Sequence, residues 1–97
     1  MHCRHGRSCK HMYLIEDQSH SEWQEPRFQS FDQAMAELRR RANIPWNEEP
    51  NVAPCQNWQK CGREYAIIEF DWATKRELSR VVVLEISAEG VRWVNNE

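Results

Sequence analysis

"CQNWQKCGREYAIIEFD", residues 55–71, is the stretch on which the fold turns. From Arg63 onward Tyr65, Ile67 and Glu69 alternate with Ala66, Ile68 and Phe70. Period-two alternation is the mark of a strand, and apolar groups on both sides place this one centrally in a sheet. Just ahead of it stand two cysteines with five residues between them. The N-terminal "CRHGRSCKHMYLIED", residues 3–17, repeats that cysteine spacing before another short apolar run, Met12-Tyr-Leu-Ile, which reads as the first strand.

Working outward, residues 18–29 are polar with one proline and read as a loop that touches the sheet through Trp23 and Phe28. Ser30 opens a helix. Ser30 and Gln33 fit a capping box, and Phe31, Ala34, Met35, Leu38 and Ala42 form one apolar stripe. Asp32 lies at the positive end of the helix dipole and Arg39, Arg40 and Arg41 at the negative end. Pro45 stops the helix near Asn43. Residues 44–62 then carry three prolines, two tryptophans and two cysteines, a long irregular stretch for a compact domain. Downstream of the central strand, residues 72–79 read as a loop or a single helical turn. Residues 80–87 read as a strand, Ala88-Glu89-Gly90 as a turn, and residues 91–94 as the last strand.

The expected fold is α+β, in the order β-α-β-β-β. A four-stranded, mostly antiparallel sheet carries one helix on a face, and residues 1–97 form a single domain. A core of this size is thin, buried to about 60–65% of the unfolded surface, so a staple would help it.

The cysteines suggest one. If the first strand and residues 63–71 run parallel, joined by the helix, their starting ends share a sheet edge. Cys3, Cys9, Cys55 and Cys61 would then converge as a tetrahedral zinc site stapling residues 1–11 to residues 55–61. Five residues between paired ligands is loose for zinc, and His2, His5 and His11 are alternative ligands. Free thiols and disulfides stand beside zinc as readings of the same four residues. Met12 offers a second initiation point, which would leave residues 1–11 as an extension.

Five tryptophans in 97 residues is high usage. Of those expected in loops, Trp58 and Trp72 are the candidate partner-binding pair, against the commoner role of tryptophan as a lid over a small core. Glu16, Asp17, Glu69 and Asp71 lie near the ends of the two strands paired above. Solvated strand ends explain them more simply than acid–base or cation-binding work. Cys9 with His11, or Cys55 with His20, makes a thiol–imidazole pair, but no orienting acid is identifiable for either. No phosphate-binding loop, dinucleotide fingerprint or hydrolase motif occurs.

Charge narrows the partners. The chain carries −2 overall; Arg4, Arg7 and Lys10 put +3 on residues 1–11, which leaves −5 on the remainder. No apolar run approaches the roughly 18 residues of a membrane span, and no secretory signal is visible, so the expected location is cytoplasmic. The resulting expectation is a small non-enzymatic module acting through protein–protein contact, of the inhibitor, immunity or accessory kind. The alternative is a zinc-dependent nucleic-acid-binding module. Arg4, Arg7 and Lys10, with the Arg39–Arg41 run, would be its phosphate contacts.

Overall fold

The structure, a computed structural model, describes residues 11–55 and 61–94. Its elements are β1 (His11–Asp17), β2 (Glu22–Phe28), α1 (Phe31–Arg41), β3 (Arg63–Asp71), β4 (Arg76–Ser87) and β5 (Gly90–Trp93). The strands make one antiparallel sheet in the order β2-β1-β3-β4-β5. The α+β class stands, with five strands rather than four.

The extra strand is β2, in the stretch expected to be a loop. Its sequence, EWQEPRF, shows no apolar alternation because it lies at the sheet edge with much of its surface in solvent. Pro26 is tolerated there, since an edge strand leaves one row of backbone groups unpaired. Trp23 therefore sits in a strand, not a loop.

β2 also changes the topology. β1 pairs antiparallel with β3, placing His11 opposite Asp71 and Asp17 opposite Tyr65. The parallel pairing expected for these two strands is thus overturned, and their starting ends lie at opposite edges. The rule that a helical crossover joins parallel strands holds for a different pair. β2 and β3 flank β1, each antiparallel to it, so they run the same way, and the segment containing α1 joins them.

α1 starts as its sequence indicates. Ser30 is extended and its Oγ accepts the Gln33 N–H at 3.1 Å, while the Gln33 side chain reaches back to the Gln29 N–H at 2.9 Å, one residue beyond the usual capping box. Ala34 and Leu38 pack onto Ile15, Tyr65, Ile67, Val83, Leu84 and Ile86, with Met35, Ala42 and Trp46 at the margin. Phe31 departs from the expected stripe: it is exposed, with its ring edge-on to Tyr13.

The C-terminus of α1 is held from a distance. Buried Asn51 donates from Nδ2 to the Arg41 and Ile44 carbonyls at 2.9 and 2.8 Å, and its Oδ1 accepts from the Tyr65 hydroxyl at 3.0 Å. One amide satisfies orphan carbonyls at the helix end and ties them to the central strand. Burial raises the Tyr65 pKa above its ordinary value. β4 begins at Arg76, four residues before the expected strand start, and completes a tight turn after Asp71, whose side chain accepts the Ala73 N–H.

Candidate functional site

Two places carry chemistry. The first is the corner where β1 ends and β3 begins. Asp17 is fully buried and builds the turn after β1: its Oδ1 accepts the Ser19 N–H at 3.1 Å and its main-chain oxygen accepts the His20 N–H. This turn folds His20 back so that Nδ1 meets Asp17 Oδ2 at 2.6 Å. Across the sheet, Asp17 Oδ1 also accepts the Glu64 N–H, and Oδ2 accepts from Arg63 Nη1 at 2.9 Å.

Arg63 is itself 6% exposed. It donates to Glu22 and, through Nη2, to the Val52 carbonyl at 2.9 Å, which draws the 51–55 segment to the start of β3. Burial works against the Arg63 charge, but hydrogen bonds to Asp17 and Glu22 outweigh it and the pKa is raised. The same contact with Arg63 holds the Glu22 carboxyl below its ordinary value.

Cys55 and Cys61 lie at this corner, joined in a disulfide with Cα atoms 7.0 Å apart. A ring nitrogen of His20 and the two sulfur atoms lie within 4.8 Å of one another. Gly62 follows at a point where only glycine fits: a Cβ there would stand 2.7 Å from the Ile86 carbonyl oxygen and 2.8 Å from Ser87 Cβ. Asp17 is the orienting acid missing from the Cys55–His20 pair, and in sequence it stands out only as one of four acids near strand ends. Asn51 and Arg63, embedded in contacts 6 to 46 residues away, have no such mark.

The second place is the sheet face opposite α1. Register puts Leu14, Ala66 and Ile68 on it, with Glu16, Phe70 and Arg80 around them. Trp23, 47% exposed, meets Phe70 edge-on at 5.5 Å, and Phe70 meets Trp72 at 4.7 Å. Arg27 and Lys75, both exposed, lie over the Trp72 ring at 4.5 and 5.5 Å. Neither makes an ion pair among the described residues.

The other expected site residues divide as follows. Trp72 is half-buried in this cluster, while Trp23 and Trp93 are the exposed tryptophans among the described residues. Cys3, Cys9, Arg4, Arg7, Lys10 and Trp58 lie outside the described residues. The disulfide takes Cys55 and Cys61 out of a four-thiolate zinc set, and the antiparallel pairing removes the reason for convergence.

That pairing also separates the four acids, leaving Glu16 and Asp17 at one end and Glu69 and Asp71 at the other. Glu16 pairs with Arg80 and Glu69 with His11. In the Arg39–Arg41 run, Arg40 and Arg41 both turn to Glu37, and Arg41 lies buried over the Tyr65 ring.

Against known proteins, the chain matches no family model, no curated protein and no solved structure. No helix among the described residues is long and apolar enough to cross a membrane.

Proposed function

We propose that this chain is a non-enzymatic binding module that docks an acidic segment of a protein partner on the α1-free face of its sheet, an inhibitor, immunity or accessory type of role. The carrying observation is Trp23, about half exposed beside Phe70 and Trp72, with Arg27 and Lys75 at the same cluster and without an ion pair among the described residues. Tryptophan and arginine are the residues most enriched where interfaces concentrate their binding free energy. Cations without a carboxylate of their own favour a partner that supplies one, and steer its approach. Nucleic acid fits less well, because the Trp72 ring already stacks under the chain's own cations instead of offering a free face to a base.

Panning a random peptide display library on the immobilised protein tests this. Enriched peptides should carry an excess of Asp and Glu. Their affinity should fall at least tenfold with Trp23→Ala and with the double change Arg27→Glu/Lys75→Glu, at an unchanged melting temperature. Peptides without acidic bias, or binding indifferent to both variants, would reject the assignment. Tight, steeply salt-dependent binding of single-stranded RNA to the same face would replace it with the nucleic-acid reading.

A further inference from the structure

We infer that the Asp17–His20–Cys55–Cys61 corner is a redox-gated zinc site: closed as a disulfide when oxidised, and a two-thiolate, one-imidazole ligand set when reduced. This is independent of the docking face and lies on different residues.

The first support is placement. A tetrahedral zinc site with Zn–S near ~2.3 Å and Zn–N near ~2.0 Å holds its ligand atoms about 3.3–3.8 Å apart. The two sulfurs and a His20 nitrogen already sit within 4.8 Å of one another, so small side-chain adjustments reach that spacing once the sulfur–sulfur bond is gone. The second is the orientation of His20. Its Nδ1 meets buried Asp17 Oδ2 at 2.6 Å; in the neutral tautomer that donates this bond, the Nε2 lone pair is left for a metal. A carboxylate behind the other ring nitrogen is the usual support of a zinc-bound histidine. The third is support from the frame. Asp17 is fixed by Arg63 and by the Ser19 and Glu64 N–H groups, and the 51–55 segment is fixed by Arg63 on the Val52 carbonyl, so both arms of the site are held before metal arrives. His20, Cys55 and Cys61 are each partly exposed, which gives solvent access.

The chemistry balances with a dithiol reductant. The dithiol passes two electrons and two protons to the Cys55–Cys61 bond and closes into its own disulfide. Both cysteines become thiols. Zn²⁺ then displaces the two thiol protons to solvent, forming two Zn–S bonds and one Zn–N bond, with water in the fourth position. A disulfide oxidant reverses this: it takes two electrons from the Cys55 and Cys61 thiolates and two protons from solvent, becomes a dithiol, and Zn²⁺ leaves because disulfide sulfurs are not thiolate ligands.

The test uses the full chain and Co²⁺ alone as the spectroscopic probe. The reduced protein should take up one Co²⁺ per chain, with thiolate charge-transfer and tetrahedral d–d absorption, and release it to Zn²⁺. The oxidised protein should take up none. Uptake should persist in Cys3→Ser/Cys9→Ser, vanish in Cys55→Ser/Cys61→Ser, and weaken at least tenfold in His20→Gln, with circular dichroism verifying that each reduced variant remains folded. Asp17→Asn should weaken uptake by about 10- to 100-fold. Uptake lost in the Cys3/Cys9 variant but intact in His20→Gln would overturn the inference in favour of a four-cysteine site. Absence of uptake by the reduced chain, or equal uptake by the oxidised one, would overturn it outright.

Discussion

Asp17 receives four hydrogen bonds on two side-chain oxygens while fully shut off from solvent. A buried carboxylate is tolerated only when its charge is answered, and here Arg63 answers it with Glu22 as a second acceptor. Truncation of Asp17 would leave the Arg63 guanidinium buried with one of its two carboxylate partners gone. Asp17→Ala is therefore expected to cost about 3–5 kcal/mol, read as a lower urea midpoint at unchanged slope. A loss under 1 kcal/mol would show that the corner is held by other contacts. No spacing rule in the sequence announces Asp17, because one of its two ends is local and the other is 46 residues away. His20 and Cys61 share that condition: each was visible as a residue type capable of ligation, and neither as the neighbour of the other.

At the scale of elements, α1 was the most legible. Its stripe, its cap and its stop all arise from residues within about four positions of one another, the range over which a helix makes its own contacts. Ser30→Ala removes the acceptor for the Gln33 N–H and should cost about 1 kcal/mol in thermal or urea denaturation. No measurable loss would mean that the Gln33 side chain and solvent carry that helix end unaided. β3 and β5 were legible through alternation, β-branched residues and the Gly90 turn, where φ is +126°. β2 was not, because an edge strand with one proline and a largely exposed surface writes no apolar period into its sequence. Its presence is decided by the unpaired edge of β1, which needs a partner for its backbone groups.

For the whole molecule, acid should be the destabilising direction. Arg63 holds Glu22 below its ordinary value of 4.5, and Arg40, with Arg41, does the same for Glu37. Below that value the unfolded chain takes up protons the folded chain refuses, so this stabilisation is complete above the ordinary glutamate range, begins to fall within it and is lost as pH drops through the lowered folded-state values. The urea midpoint should hold steady near neutrality and fall from about pH 5 downward. A midpoint flat to low pH would show that these ion pairs add nothing to folding. Both groups sit where elements meet, Glu22 between β2 and β3 and Glu37 on α1 facing Arg41, so the titration reports on the assembled sheet and helix together.

The sequence by itself determined the α+β class, the helix with its ends, the central and C-terminal strands and the absence of a long apolar run. All of these rest on interactions between residues a few positions apart. Only the tertiary structure decided that β1 and β3 run antiparallel, that β2 completes the sheet, and that Asp17, His20, Cys55 and Cys61 meet at one corner while Trp23, Phe70 and Trp72 meet on one face. Strand direction and register depend on which faces are buried together and which edges are left to pair, a balance struck between segments far apart in the chain.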